Sequence, residues 1–169
     1  MKNVKILLVD DDVDILNVMQ AILVKEKYTV VTANNKVEGM DKIRNEKPDM
    51  AILDVMMSTH YEGFEMAKEL RDNPHYKNIP VMMFTSIDIL TTTRADVQAM
   101  AREFRLDPNY SQMDVLLVKD INSGDAGVDY KTKDGKSEWV PVDGFVAKPA
   151  DSKKVLPEVK RLLQKYKII

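Results

Sequence analysis

The chain has 169 residues, of which 44% are hydrophobic and 31% charged, as is typical of one globular domain. Its net charge of −2 argues against direct nucleic-acid binding, and the lack of cysteine excludes disulfides, thiol catalysis and zinc–thiolate sites. No apolar stretch approaches the ~20 residues that span a bilayer, and the N-terminal apolar run ends in acids, unlike a signal peptide. We therefore expect a cytoplasmic protein without membrane insertion.

Strand and helix patterns alternate over the first ninety residues. Residues 4–9 form a continuous apolar run, which predicts a strand buried on both faces. Helical spacing follows from residue 15 to residue 23, with Asp12 as the predicted N-cap. The same patterns predict strands at 28–32, 50–53 and 81–84, and helices around 37–43 and 64–70.

The last core elements are separated from the others by a long segment. Residues 144–147 predict a short strand, and a helical stripe follows over 155–166. Pro157 is tolerated only near the first turn of a helix, so this helix is predicted to begin between residues 152 and 156. Thr85 and Lys148 lie 63 positions apart, whereas one helix with two short loops needs only about 20 residues.

The additional segment has predicted structure of its own. Residues 91–105 show helical spacing, 115–118 form an apolar run of strand length, and 128–142 resemble a β-hairpin closed by Asp134-Gly135. The sequence thus predicts an α/β fold. Its core is a doubly wound, five-stranded parallel sheet with helices on both faces, interrupted by an insertion at about 91–142 that contains a helix and a hairpin.

Polar side chains follow four of the predicted strands: Asp10 and Asp11, Asp54, Thr85, and Lys148. The carboxyl ends of parallel strands meet at one edge of a sheet, so we expect these groups to lie close together. Mg²⁺ prefers one or two carboxylates, waters and a phosphate oxygen, which matches this set better than a caged Ca²⁺ site. Asp54, which stands alone, is the predicted nucleophile toward a phosphoryl group, with Asp10 and Asp11 as the metal pair.

This set, with the flanks ILLVDDD, ILDVMM, VMMFTS and FVAKP, resembles the receiver domain of two-component response regulators. The resemblance implies a flavodoxin-like sheet of order 2-1-3-4-5 and Asp54 as phosphoacceptor. It implies Mg²⁺ bound by Asp10, Asp11, Asp54 and the backbone carbonyl of Met56. By the same resemblance Thr85 is the switch hydroxyl, Phe145 the switch aromatic, and Lys148, joined to Pro149 by a cis bond, contacts the phosphoryl group.

Three features depart from the family pattern. A proline usually stands four residues after the phosphoacceptor, where this chain has Ser58, and the following glycine, Gly63, comes one position late. The loop after Asp54 is therefore longer than usual. The third departure is the insertion. Lys119, which also follows an apolar run, is the alternative to Lys148, but only Lys148 precedes proline and the last helix.

The resemblance implies a stand-alone receiver, residues 1–169, phosphorylated by a histidine kinase or a phosphotransfer protein. It would be no enzyme beyond slow self-catalysed phosphotransfer and dephosphorylation. It would act through a protein partner, as a monomer or a phosphorylation-linked dimer. A pseudo-receiver that binds partners without phosphorylation is one alternative. An aspartyl phosphohydrolase is another, although such enzymes carry a second aspartate two residues after the nucleophile, where this chain has Met56.

Overall fold

The computed structural model describes residues 2–57 and 62–169. Five parallel strands form the main sheet, in the order β2-β1-β3-β4-β9. They are β1 (Lys5–Val9), β2 (Thr29–Ala33), β3 (Met50–Asp54), β4 (Val81–Thr85) and β9 (Gly144–Ala147). This arrangement confirms the predicted doubly wound sheet and its order, with β9 as the fifth strand. Every residue of β3 and β4 is buried, as their continuous apolar sequences predict.

Helices cover both faces of this sheet. They are α1 (Val13–Lys25), α2 (Lys36–Glu46), α3 (Glu62–Asp72) and α5 (Ser152–Lys165), whereas α4 (Val97–Leu106) belongs to the insertion. Asp12 is the N-cap of α1, as predicted, and accepts a hydrogen bond from the Asp14 backbone N–H at 2.9 Å. Pro157 lies inside α5, which begins at Ser152 as expected. Within the described residues, no helix combines the length and the apolar character needed to cross a membrane.

A second, four-stranded sheet lies between β4 and β9 in the sequence, in the order β5-β6-β7-β8. Its strands are β5 (Ile89–Thr92), β6 (Val115–Asp120), β7 (Ala126–Lys131) and β8 (Ser137–Val142). The antiparallel pair β7–β8 confirms the predicted hairpin. The helix expected over 91–105 is shorter, because Thr91 and Thr92 belong to β5, which pairs in parallel with β6. The insertion therefore contains a whole sheet in addition to its helix.

The second sheet packs against the same face of the main sheet as α2 and α3. Leu117 and Val128 of the second sheet share one apolar core with Leu53, Met83 and Phe64. On the other side of the main sheet, α1 and α5 close a separate core. Helix α4 lies outermost, with Ala101 packed on Leu116 and Val118 of β6. The insertion thus takes a position over the core rather than extending away from it.

A buried aspartate joins the two sheets where β8 passes into β9. Asp143 is 6% exposed, and its carboxylate accepts hydrogen bonds from the Val81 backbone N–H at 2.7 Å and from the Tyr166 hydroxyl at 2.5 Å. Arg161 of α5 donates to the Asp143 carbonyl at 2.9 Å. These contacts fix the start of β4, the start of β9 and the end of α5 to one another, and therefore hold the insertion at a defined place.

Candidate metal and phosphoacceptor site at the sheet edge

The polar residues predicted to meet do lie at the carboxyl edge of the main sheet. Asp10 follows β1, Asp54 ends β3, Thr85 ends β4 and Lys148 follows β9. The order of the strands puts β3 between β1 and β4, so Asp54 occupies the middle of the group. Three side chains of this edge are almost fully buried: Asp10 at 4% exposure, Asp54 at 6% and Thr85 at 1%.

Three carboxylates converge at this edge. Asp10, Asp11 and Asp54 each offer an oxygen, and these oxygens all lie within 4.8 Å of one another. Asp10 is oriented by the turn that follows it, because its Oδ1 accepts a hydrogen bond from the Asp12 backbone N–H at 2.9 Å. Asp11 is exposed, so the cluster has one open side toward solvent. An incoming ion or substrate can reach the acids from that side.

Lys148 contacts two of the acids. Its Nζ lies 3.1 Å from Asp10 Oδ2 and 3.3 Å from Asp54 Oδ1, and its side chain is 16% exposed. The ammonium also lies 5.5 Å from the centre of the Phe84 ring. The Lys148–Pro149 peptide bond is cis, as the resemblance implies. Lys119, the alternative lysine, lies on β6 in register with Thr91 and belongs to the second sheet.

The close packing of like charges changes the proton affinities of these groups. Burial, with a contribution from the Asp10 charge, raises the pKa of Asp54 from 3.8 to about 6. Burial and Asp10 likewise raise the pKa of Asp11. Burial alone would lower the pKa of Lys148, but the charges of Asp54 and Asp10 outweigh it and raise that pKa. Three carboxylates against one ammonium leave an excess of negative charge that a divalent cation would relieve.

The donor set fits Mg²⁺. All three side chains are hard oxygen donors, and the exposed side at Asp11 leaves room for the waters and the phosphate oxygen that Mg²⁺ retains in protein sites. The backbone N–H of Met56 donates a hydrogen bond to the Asp54 carboxylate, which ties the next residues of the chain to the site. The metal-binding role of the Met56 carbonyl stays a prediction.

Thr85 and Phe145 lie on the neighbouring strands. Thr85 Oγ1 accepts a hydrogen bond from the Ile87 backbone N–H at 2.9 Å, which leaves the hydroxyl hydrogen available as a donor. Phe145 of β9 is 3% exposed and belongs to the core shared with the second sheet. Their switch roles stay predictions, but the structure gives each a direct connection to the insertion, Thr85 along the chain and Phe145 through packing.

The first turn of α3 packs closely against the end of β3. Ser58 and most of the lengthened loop lie outside the described residues. A Cβ on Gly63 would lie 2.0 Å from the Asp54 carbonyl oxygen and 2.6 Å from that of Val55. Only glycine therefore fits against this backbone, and the first turn of α3 rests directly on the strand end that carries Asp54.

Two side-chain contacts around the site have no signal in the amino-acid sequence. The Phe84 ring lies near Lys148, but in the sequence Phe84 is one of several apolar residues of β4 and indicates only a buried core position. The stack between Phe64 of α3 and Tyr130 of β7, with ring centroids 5.3 Å apart, joins segments that are distant in sequence. Neither contact leaves a local periodicity or motif, because both depend on how separate elements pack.

Comparison with known proteins agrees with this geometry. The sequence model of the response regulator receiver domain matches residues 6–108, which is more than half of the chain but ends before Lys148. The chain is 42% identical over 82 residues to a CpxR homolog of Haemophilus influenzae and 38% identical over 84 residues to PhoP of Bacillus subtilis, both transcriptional regulatory proteins. These alignments cover 48% and 50% of this chain, but only 34% of each relative.

Solved structures share the fold. A CheY-like receiver domain protein from Methanospirillum hungatei has a TM-score of 0.62 at 22% identity, over 99% of this chain and 98% of that one. Response regulator TrrA from Thermotoga maritima, solved in complex with Mg(2+)-BeF, has a TM-score of 0.59 at 22% identity, over 95% of this chain and 99% of that one.

Proposed function

The chain belongs to the response regulator receiver family, and we propose that it carries a phosphoryl group on Asp54, taken from the phosphohistidine of a histidine kinase or a phosphotransfer protein. The observation that carries this proposal is the contact of Lys148 Nζ with both Asp10 and Asp54 in a cluster of three carboxylates. That cluster has an acid to accept the group, two more acids for Mg²⁺, and an ammonium to hold the added charge.

The transfer follows from the chemistry of these groups. An Asp54 carboxylate oxygen attacks the phosphorus, the phosphorus–nitrogen bond of the donor histidine breaks, and the imidazole leaves with that electron pair. The product is an acyl phosphate. When bound at the acids, Mg²⁺ neutralises phosphoryl oxygens. Lys148 already contacts the acceptor carboxylate, so its ammonium can pair with a phosphoryl oxygen after transfer, and the Thr85 hydroxyl has a hydrogen to donate to another.

The second sheet is the element through which we propose that the signal reaches a protein partner. Thr85 is separated from β5 by only three residues, and the Ile87 N–H already bonds to the Thr85 hydroxyl. On the opposite side of the site, Phe64 follows Gly63 and stacks on Tyr130 of β7. A movement of either Thr85 or α3 therefore acts on the same sheet. The chain itself is proposed to be an acceptor and not a turnover enzyme.

Acetyl phosphate with Mg²⁺ tests the acceptor directly. The intact protein should gain the mass of one phosphoryl group, the adduct should be sensitive to hydroxylamine, and peptide mapping should place it at Asp54. Asp54→Asn should show no adduct. Asp49→Asn is the matched control and should be labelled normally, because Asp49 is a half-buried acid at the opposite end of β3, bonded to Lys2 and Lys5. An unlabelled wild-type protein would overturn the proposal and favour a pseudo-receiver; steady hydrolysis of a phosphate monoester would favour a phosphohydrolase.

A further inference from the structure

The two edge strands of the second sheet, β8 and β5, differ in how well they are protected against pairing with another strand. The β8 edge carries Pro141 and Glu138, and α3 lies against it: Lys68 pairs with Glu138 at 3.0 Å and Arg71 donates to the Pro141 carbonyl at 3.1 Å. Charges, proline and a covering helix are the usual means of blocking a sheet edge. The β5 edge, Ile89–Thr92, has neither a charge nor a proline within the strand. Among residues 2–57 and 62–169, one edge of this sheet is covered and the other is open to pairing.

The backbone direction of β5 shows which groups remain available. The Thr92 carbonyl accepts a hydrogen bond from the Ile121 N–H at 2.9 Å, so Thr92 faces the β6 side. The N–H and C=O of a strand residue point to the same side, and successive residues alternate. Leu90 therefore faces β6 as well, and Ile89 and Thr91 direct their backbone groups away from the sheet. These four groups are a template for one more strand.

We propose that this edge pairs with β5 of a second copy of the chain, antiparallel, with Leu90 opposite Leu90. In this register Ile89 of each copy lies opposite Thr91 of the other, and both residues direct their N–H and C=O outward. The two-fold arrangement then gives four backbone hydrogen bonds. A strand edge that pairs with itself about a two-fold axis is self-complementary and closes as a dimer.

Charge favours a second copy over an unrelated peptide. Exposed Asp88 precedes β5 and exposed Arg94 follows it. With Leu90 on the two-fold axis, Asp88 lies opposite Thr92 of the other copy, at the end of β5 that Arg94 follows. Arg94 stands in a turn beyond the strand, where its N–H donates to Thr92 Oγ1 at 3.1 Å, and its long side chain can extend from that turn toward Asp88. Two such pairs form in each dimer, and both have opposite charges.

The oligomeric state measured over a range of protein concentrations, without phosphodonor, tests this interface independently of the proposed phosphorylation. Sedimentation should show a monomer–dimer equilibrium. Thr91→Pro removes an outward N–H and leaves the β5–β6 bonds of Leu90 and Thr92, so it should weaken association at least tenfold. Thr91→Val is the matched control, because it keeps that N–H and should dimerise like the wild type. Circular dichroism shows whether the proline variant is folded.

A charge exchange decides the register even if Thr91→Pro does not fold. Asp88→Arg alone and Arg94→Asp alone should each be monomeric, because each places like charges together across the axis. An equal mixture of the two variants should form a heterodimer, since both pairs across the axis again have opposite charges. Glu103→Ala controls for the 2.8 Å ion pair between Arg94 and Glu103 within one copy and should still dimerise. A wild-type protein that is monomeric throughout, or a dimer that none of these changes weakens, would overturn the proposal.

Discussion

The ring of Phe64 in α3 stacks on the ring of Tyr130 in β7, with centroids 5.3 Å apart and planes inclined by 14°. The residue before Phe64 is Gly63, which fits against the backbone of Asp54. The stack therefore joins the helix that follows the acceptor aspartate to the inserted sheet. Trp139 lies on β8, opposite Asp129 of β7, and its ring covers Gly127, so the single tryptophan of the chain reports on the same sheet.

We expect a beryllofluoride–Mg²⁺ complex at Asp54 to change the fluorescence emission of Trp139. Phe64→Leu keeps apolar volume but loses the stack, so it should reduce the amplitude of this change by about half or more while Mg²⁺ still binds. Tyr130→Phe is the matched control, because it keeps the ring and removes the hydroxyl, which donates to Glu138. Equal amplitudes in the wild type and Phe64→Leu would show that the stack does not connect the site to the sheet.

Gly63→Ala should destabilise the protein. Replacing a helical glycine with alanine ordinarily stabilises by about 0.5–1 kcal/mol. Here the new Cβ would collide with the carbonyl oxygens of Asp54 and Val55, and moving that backbone should cost roughly 1–3 kcal/mol. Urea unfolding measures the difference in unfolding free energy between Gly63→Ala and the wild type. Gly39→Ala is the control, because its Cβ meets side-chain atoms of Met66 and Val9 at 3.0–3.1 Å and should cost less. A stabilising Gly63→Ala would contradict the close approach.

Lys148→Ala should separate metal binding from phosphoryl transfer. Loss of the ammonium removes a positive charge that opposes a cation at Asp10 and Asp54, so Mg²⁺ should bind more tightly. Labelling by acetyl phosphate should nevertheless slow by at least about tenfold, because the charge developing on the phosphoryl group loses its partner. Lys119→Ala should change neither property. If Lys119→Ala slows labelling and Lys148→Ala does not, the assignment of the lysine is wrong.

The raised pKa of Asp54 predicts how stability depends on pH in metal-free protein. The carboxyl ionises near 3.8 in the unfolded chain and at about 6 in the folded one. The folded state therefore binds the proton more tightly, and the free energy of unfolding should fall as pH rises from about 4 to about 6. Asp54→Asn removes this penalty and should stabilise the protein at neutral pH by roughly 1–2 kcal/mol, allowing for solvent screening.

Urea unfolding with a chelator present checks this linkage. The two proteins should have similar unfolding free energies near pH 4, where both side chains at position 54 are neutral in the folded state. Their unfolding free energies should diverge as the pH rises to about 6 and differ by a constant amount above it. Added Mg²⁺ should recover stability in the wild type to a greater extent than in Asp54→Asn, because the amide is a weaker ligand. A constant difference between the two proteins across this pH range would mean that the carboxyl does not titrate as described.

Local patterns in the sequence were sufficient to predict the strands of the parallel main sheet. The apolar runs of β1, β3 and β4 are continuous because both faces of each strand are buried, and the polar residues Asp10, Asp54 and Thr85 mark where these strands end. The turn at Asp134-Gly135 identified the β7–β8 hairpin for the same local reason, since Gly135 has a φ of +82° that favours glycine. The family resemblance rested on these strand ends.

The tertiary structure alone decided how the segments separated by the insertion meet. The helical spacing after Thr91 and Thr92 predicts that both residues belong to a helix, but pairing with β6 makes them part of a strand. The proline and the helix after Lys148 favour it over Lys119 in the sequence, and the order of the strands places Lys148 beside Asp10 and Asp54. Periodicity records which face of a single element is buried; the partner that buries it is set by packing between elements, which a single sequence does not encode locally.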